Sequence, residues 1–232
     1  MCVMALPAAE PARVPVLAEL FTSEGCSSCP PADALLIEID RRQPVAGARI
    51  IVLSEHVDYW NDLGWKDPYS SAEFSRRQSA YARLLGAEVY TPQIVIDGRE
   101  AVLGSGGRDI EAAVKRAAAR ARAEVRIAGA KREGAEAVVT LAIPPLARGK
   151  ADVWAAVADE RDTSSVNRGE NHGRTLDHVA VVRSLSKIAA VSRTDGLQRT
   201  VRLPIGAAPG RVVVFLKEAE GPVIGADAAA IP

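Results

Sequence analysis

The first half of the chain alternates between short apolar runs and segments with apolar residues at helical spacing. Residues 14–22 are almost wholly apolar and end at a Ser-Glu-Gly stretch, which is typical of a strand. From Pro30 onward the apolar residues recur at helical spacing, and prolines suit the first turn of a helix. Residues 49–54 form a nearly continuous apolar run, as expected of a buried parallel strand. Together these segments predict a strand–helix–strand unit.

Later segments extend this unit. Residues 59–88 are rich in aromatic and turn-forming residues and contain a predicted helix over 71–85. Residues 94–103 predict a hairpin with an Asp-Gly turn. A helix follows from Asp109, a predicted N-cap, to Ala123. This order of strands and helices is that of a thioredoxin-like α/β domain with a helical insertion at about 59–88.

The pattern changes after residue 124. Strand-like segments alternate with Gly, Pro and Asp clusters, without a strong helical pattern, at 125–128, 137–143, 153–159, 178–185, 197–203 and 211–217. This pattern predicts an all-β, sandwich-like domain, and the polar stretch 161–175 is predicted as a long loop. We therefore divide the chain into a leader or disordered segment (1–13), a thioredoxin-like domain (14–124) and a C-terminal β domain (125–232).

The turn between the first strand and the first helix carries Cys26 and Cys29, separated by two serines. At a helix N-terminus, unpaired backbone N–H groups and the helix dipole favour the thiolate of the first cysteine. We expect Cys26 to attack and Cys29, one helical turn further on, to resolve the mixed disulfide. The serine hydroxyls could donate to the thiolate and make the pair more oxidising. The alternative is a static disulfide or an inert pair, but the position between strand and helix favours a redox motif.

Two further elements are predicted to serve the dithiol. Thr91-Pro92 precedes the hairpin strand, where thioredoxin-like folds place a cis-proline facing the dithiol. The backbone of Thr91 would there hold the client chain. Glu19 is the charged residue of the first strand. It is either a carboxylate on a polar strand face or a buried proton acceptor near Cys29.

The segment after the second strand is a candidate for contact with a client. Because the carboxyl ends of strands line the site in an open α/β sheet, His56 and Asp58 are expected near the dithiol. His56 would stabilise a thiolate or shuttle a proton. Tyr59, Trp60 and Trp65 would form an apolar wall. Alternatively, these aromatic side chains pack the inserted helix and His56 is simply hydrogen-bonded.

Metal binding is the main alternative to redox chemistry. Cys26, Cys29 and His56 could form a three-ligand site for copper or zinc, but a fourth ligand is not evident. His172 and His178 lie six positions apart, which is wider than the usual zinc spacing. We assign no cofactor. A non-catalytic binding protein of thioredoxin fold, for a metal ion or a protein partner, is the second hypothesis.

Composition narrows the classes of partner. The 29 basic and 29 acidic residues balance, which argues against nucleic acid as the main partner. The chain contains no run of 18 apolar residues, so we predict no transmembrane helix. Residues 5–9 resemble the small-residue tail of an export signal whose upstream part is not visible. We therefore expect a periplasmic or secreted protein that acts on protein thiols or disulfides.

Several motifs resemble those of one bacterial family. They lie at 19–33 around the dithiol, at 56–60 and 63–67, at 90–93, and in the second half at 168–174 with 181–183. The family is known as a domain of unknown function, and its members are expected to be secreted. The resemblance implies a thioredoxin-like domain with a helical insertion, a C-terminal β domain and export. It supplies no substrate.

The second-half motif at 168–174 contains Gly169 and Gly173, which indicate tight turns. Glu170 with Arg168 or Arg174 suggests an internal ion pair. We predict a structural brace that docks onto the first domain, in preference to a partner-binding loop.

Overall fold

The computed structural model describes residues 13–232; residues 1–12 of the predicted leader, Cys2 among them, lie outside the described residues. The helices are α1 (Pro30–Arg42), a short 3₁₀ helix (Asn61–Leu63), α2 (Ala72–Leu85) and α3 (Gly107–Ala118). The strands are β1 (Val14–Thr22), β2 (Ala48–His56), β3 (Gln93–Ile96), β4 (Glu100–Leu103), β5 (Arg126–Glu133), β6 (Glu136–Ile143), β7 (Lys150–Ser165), β8 (Thr175–Ser192), β9 (Leu197–Pro204), β10 (Gly210–Lys217) and β11 (Val223–Ile231).

One mixed sheet holds eight strands in the order β11-β10-β7-β8-β2-β1-β3-β4. β1 and β2 are parallel and α1 connects them, which confirms the predicted strand–helix–strand unit. β8 joins β2 in parallel, with Ser54 opposite Val181. Four strands from the second half of the chain therefore continue the sheet of the first half. The division at residue 124 stays a prediction, since this sheet contains strands from both sides of it.

A separate antiparallel sheet is formed by β5, β6 and β9. It packs against one face of the large sheet, where Val139 and Leu141 of β6 share a core with Val153 of β7 and Val212 of β10. This is the face-to-face packing of two sheets that a sandwich shows. The later half of the chain is thus all-β, as predicted, but only three of its strands form a sheet of their own.

The helices cover both faces of β1. Neighbouring strand residues point to opposite faces. Leu20 lies beside Ala32 of α1, next to Gly104. Phe21 instead packs against Tyr81 of α2, with ring centroids 6.2 Å apart. The carboxyl end of β1 is followed directly by the loop that leads into α1.

The inserted helix α2 confirms the prediction over 71–85. Ser71 has extended backbone and caps the helix by accepting a hydrogen bond from the N–H of Glu73 at 3.2 Å. The helix ends at Gly86, whose φ of +62° is the left-handed conformation that favours glycine. No helix within residues 13–232 is both long and apolar enough to cross a membrane.

Several element boundaries differ from the sequence-based expectation, among them the end of α3 and the extent of the loop before β8. The helix predicted to reach Ala123 ends at Ala118, because Arg122 turns back to the carboxylate of Asp97 and the N–H of Ala123 donates to Ile224. The predicted loop over 161–175 was too long. Residues 161–165 belong to β7 and pair with the start of β8, so only 166–174 lie outside the strands. The polar side chains of residues 161–165 therefore belong to the hairpin formed by β7 and β8.

Candidate functional site

The dithiol lies in the loop between β1 and α1. Cys26 and Cys29 are joined as a disulfide, with Cα atoms 5.4 Å apart. Cys29 occupies the N-cap position of α1, and its carbonyl accepts hydrogen bonds from the N–H groups of Ala32 and Asp33. Both cysteines are fully buried, whereas the two serines between them are exposed. The hydroxyl of Ser28 lies 3.3 Å from the sulfur of Cys26, close enough to donate to a thiolate.

Thr91 lies beside the dithiol loop. Its peptide bond with Pro92 is cis. The hydroxyl of Ser28 donates a long hydrogen bond of 3.5 Å to the carbonyl of Thr91. The indole N–H of Trp60 donates to the hydroxyl of Thr91 at 2.8 Å. A Cβ added at Gly25 would lie 3.0 Å from that of Trp60, so glycine permits this close approach.

His56 lies in a buried polar network behind the dithiol loop. Its Nδ1 is 2.7 Å from the carboxylate of Asp67, which also accepts the N–H of Glu24 at 2.8 Å. Burial raises the pKa of a carboxyl, but His56 and the N–H groups of Glu24 and Tyr69 stabilise the carboxylate and lower the pKa of Asp67. The Nε2 of His56 has no hydrogen-bond partner. His56 is therefore hydrogen-bonded, and it also lies close to the dithiol loop.

Glu24 is the centre of this network. It is fully buried two residues before Cys26. Its carboxylate accepts hydrogen bonds from the indole of Trp65 at 2.8 Å and from the hydroxyl of Ser164. The Nε2 of His178 lies 3.2 Å away. A buried carboxylate requires such partners, because an unpaired charge away from water is costly.

His178 comes from β8 and lies between two carboxylates. Its Nε2 faces Glu24, and its Nδ1 lies 3.8 Å from the Oδ1 of Asp33, an ion-pair contact longer than a hydrogen bond. Burial favours the neutral imidazole, but Asp33 and Glu24 outweigh it and raise the pKa of His178 to about 10. The rings of His178 and His56 meet edge to face at 4.8 Å. His178 is therefore an imidazolium at neutral pH.

The segment 166–174 covers the dithiol loop. The side-chain amide of Asn171 donates to the carbonyls of Glu24 and Cys26 at 2.8 and 2.9 Å. The carboxylate of Glu170 accepts the N–H of Ser27 at 3.2 Å. This segment therefore docks onto the first half of the chain, as the brace hypothesis predicted. We call residues 166–174 the brace.

Asn171→Ala is expected to raise the rate of disulfide reduction about 30-fold. The substitution removes two hydrogen bonds, each worth about 1 kcal/mol net, and 1.4 kcal/mol changes an equilibrium tenfold. Because Cys26 is fully buried, a reductant reaches it only when the brace opens. Stopped-flow measurement of disulfide reduction by dithiothreitol gives the rate.

His172→Ala is the matched control, because His172 lies in the same brace with an exposed side chain. We expect it to react at the rate of the unaltered protein. If Asn171→Ala also reacts at that rate, the brace does not limit access to Cys26.

Glu19 lies on the other face of β1, away from α1. Its carboxylate accepts hydrogen bonds from the guanidinium of Arg77 and, at 2.7 Å, from the hydroxyl of Tyr81. Glu55 lies beside Arg77 at 3.4 Å. Burial, and after it the neighbouring Glu19, raise the pKa of Glu55 well above its ordinary value, although Arg77 opposes this. Both oxygens of Glu19 are thus occupied by α2, and its predicted role at Cys29 remains a prediction that these contacts do not support.

A cavity of about 760 Å³ lies beside this second cluster, between α2 and the strands β7, β8 and β10. Arg77, Tyr81, Trp154 and Lys217 are among its lining residues. The cavity is therefore on the α2 face, separate from the dithiol.

Two of the predicted contact residues bind the inserted helix, although Tyr59 also lies close to Thr91. The carboxylate of Asp58 accepts the hydroxyl of Ser75, and the half-exposed Tyr59 donates to Gln78 at 3.1 Å. Trp60 and Trp65 lie against the dithiol loop, at Gly25 and Glu24 respectively. The aromatic segment thus divides between packing α2 and lining the site.

Sequence reasoning missed Glu24, Asp33, Asn171 and His178 as individual site residues. A usable signal existed for two of them. His178 shares the inward phase of β8 with Leu176, and Asp33 lies four positions after Cys29 on the same face of α1. A polar residue at an inward position of an otherwise apolar pattern was the available clue.

A metal centre has no support among residues 13–232. No group of three or more His, Cys, Asp or Glu side chains there is arranged to hold a metal ion. The third ligand of the hypothetical site, His56, is instead bound to Asp67.

Comparison with known proteins places this geometry in a family. Residues 17–217 match the model of a protein family of unknown function, DUF1223. The chain belongs to the DUF1223 family. A crystal structure of a protein from Agrobacterium tumefaciens, solved by structural genomics, is similar to it, with 31% identity over 95% of each chain and a TM-score of 0.69. None of the curated proteins compared with the chain matches it. The DUF1223 match includes the dithiol, the buried network and the brace.

Proposed function

We propose that this DUF1223 protein is a thiol–disulfide oxidoreductase that acts through Cys26 and Cys29, and that β1–α1–β2 with β3–β4–α3 forms a thioredoxin-like domain. The observation that carries the proposal is the disulfide at the start of α1, between a buried parallel strand and its helix. A helix N-terminus favours a thiolate. A purely static disulfide has no need of this position.

The exchange proceeds through a mixed disulfide. A client thiolate attacks the sulfur of Cys26, the Cys26–Cys29 bond breaks, and Cys29 leaves as a thiolate that takes up a proton. A second client thiolate then attacks the client sulfur of the mixed disulfide and releases Cys26. The client gains a disulfide and the protein gains two electrons. The same steps in reverse reduce a client disulfide.

The surroundings of the dithiol suit this chemistry. Ser28 can donate to the Cys26 thiolate, which stabilises the reduced form and makes the pair more oxidising. The carbonyl of Thr91 lies within reach of Ser28, so an extended client backbone entering there would pass the sulfur of Cys26. The clients we propose are protein thiols or disulfides.

We further propose that the protein works in the periplasm or after secretion. Disulfides persist in oxidising compartments and are rare in the cytosol. The small-residue stretch at 5–9 is consistent with export. Fractionation of native cells, with an antibody against this protein, tests the location directly.

Cysteine variants test the activity. In a Cys2→Ser background, which leaves only the two cysteines of the site, we expect Cys26→Ser to abolish insulin reduction in the presence of dithiothreitol. Cys29→Ser should accumulate mixed disulfides with the client, because nothing resolves them. Mass spectrometry under non-reducing conditions detects these adducts.

The Cys2→Ser protein itself is the matched control and should keep full activity. Equal insulin reduction by this protein and by its Cys26→Ser variant would show that the disulfide is static.

A further inference from the structure

Resolution of a mixed disulfide at Cys26 requires that Cys29 lose a proton. Cys29 is fully buried in the disulfide form, so its sulfur has no direct contact with water. A buried group near Cys29 must therefore accept that proton, or the step must wait for opening of the site. The carboxylates behind the dithiol loop are the available acceptors.

Most of these carboxylates are already occupied. Glu24 binds His178, Trp65 and Ser164 with its two oxygens. Asp67 accepts from His56 and from backbone N–H groups on both of its oxygens. Each of these groups would have to give up a hydrogen bond before accepting a proton.

Asp33 differs from them. Its side chain is only 4% exposed, yet its Oδ1 accepts no hydrogen bond. More than nine in ten buried polar groups have a partner, so an exception near reactive groups is a candidate for a chemical role. The disulfide form of Cys29 carries no proton. The reduced form carries an S–H donor, which Asp33 lacks in the structure.

The helix places Asp33 at Cys29. Residues four apart lie on the same face of a helix, and the N–H of Asp33 donates to the carbonyl of Cys29 at 3.1 Å. Both side chains point into the protein, and both are in or next to the first turn of α1. Asp33 and Cys29 thus share one buried face.

We propose that Asp33 accepts the proton of the Cys29 thiol during resolution, and that His178 is a positioning residue that orients the Asp33 side chain. The proposal rests on the proposed oxidoreductase function. The S–H bond of Cys29 breaks and an O–H bond forms on Asp33. The Cys29 thiolate then attacks the sulfur of Cys26, and the client leaves as a thiolate.

The charge around Asp33 supports this assignment. The titratable groups that face His178, besides Asp33, are Glu24 from the dithiol loop, His56 at the end of β2, Tyr69 before α2 and Asp162 of β7. Asp67 lies behind them, bound to His56. Three acidic side chains besides Asp33 thus surround two histidines. The Nδ1 of His178 lies 3.8 Å from the Oδ1 of Asp33, where it can orient that side chain.

A two-step assay separates attack from resolution. The protein, reduced and freed of reductant, is mixed in a stopped-flow instrument with an aromatic disulfide that releases a coloured thiolate. The first release reports attack by Cys26, and the second reports resolution by Cys29. All proteins carry Cys2→Ser, and unfolding curves establish that each variant is folded.

Asp33→Asn is expected to slow the second release about 100-fold at pH 7, because general-base catalysis contributes about 10²- to 10⁴-fold. The first release should change less than about threefold, since Cys26 does not depend on the acceptor. In the variant the second rate should rise about tenfold per pH unit, as removal of the proton passes to hydroxide. In the unaltered protein the rate of the second release should not change between about pH 6 and 8, because the proton passes from Cys29 to Asp33. Asp33→Glu should recover part of the rate.

Glu38→Gln is the matched control, because it removes a carboxylate from the exposed side of α1. An unchanged second release in Asp33→Asn would overturn the proposal while leaving the oxidoreductase function intact. Absence of a second release in the unaltered protein would overturn the function itself. If Asp33→Asn does not fold, a second rate that rises tenfold per pH unit in the unaltered protein overturns the proposal.

Discussion

Arg77→Met is expected to lower the free energy of unfolding by about 3 to 5 kcal/mol at pH 7, because breaking a buried ion pair leaves an uncompensated charge. Arg77 is 9% exposed and binds Glu19, while Glu55 lies 3.4 Å away. Without the guanidinium, the buried carboxylate of Glu19 would lose its counter-charge beside Glu55. Either it takes up a proton or the local structure opens.

Urea denaturation of the oxidised protein measures this effect. The loss should be smaller at pH 5 than at pH 7, because a protonated carboxyl needs no counter-charge. Arg77→Met with Glu19→Gln should recover part of the stability, since a double-mutant cycle reports the pair. Arg76→Met, an exposed arginine of the same helix, is the control and should change stability by less than about 0.5 kcal/mol. A loss of less than about 0.5 kcal/mol in Arg77→Met would show that Arg77 is not the charge that balances this cluster.

The second large effect is expected at His178. Its folded-state pKa of about 10 is above its ordinary value, so the imidazolium contributes stability that is fully present below about pH 6.5 and is lost as the pH rises through about 10. His178→Gln should therefore lower the free energy of unfolding by about 3 to 5 kcal/mol at pH 6. The difference from the unaltered protein should shrink steadily toward pH 10.

Denaturation curves at several pH values test this dependence. His172→Gln is the control, because His172 is exposed, and its difference from the unaltered protein should stay close to zero throughout. A difference for His178→Gln that is the same at pH 6 and pH 10 would mean that its contribution is packing and not charge.

Local sequence patterns predicted the elements that carry the dithiol. The apolar run of β1, the prolines that begin α1 and the buried run of β2 are consecutive in the chain, so their pairing required only a short connection. The cysteines could be placed at the start of α1 for the same reason. The closeness of Thr91 to the dithiol could also be predicted, because the expected strand order places the start of β3 beside the end of β1.

Pairings between distant residues could not be read in this way. Glu19 was a candidate partner of Cys29, yet it binds Arg77, which lies 58 positions later in the chain. Nothing in the spacing of polar residues distinguishes a carboxylate aimed at α2 from one aimed at α1. His178 is likewise buried because β8 pairs with β2, and the sequence-based interpretation placed that strand in a separate domain.

The insertion of β8 beside β2 has a consequence for biosynthesis. Until residues 175–192 emerge from the ribosome, the outer edge of β2 has no partner strand. At about 5–20 residues per second, that interval is on the order of ten seconds. An unpaired strand edge is a template for pairing with other chains. Chaperone capture or aggregation of the nascent chain is therefore favoured before β8 arrives, and chains stalled within this interval are the ones most exposed to it.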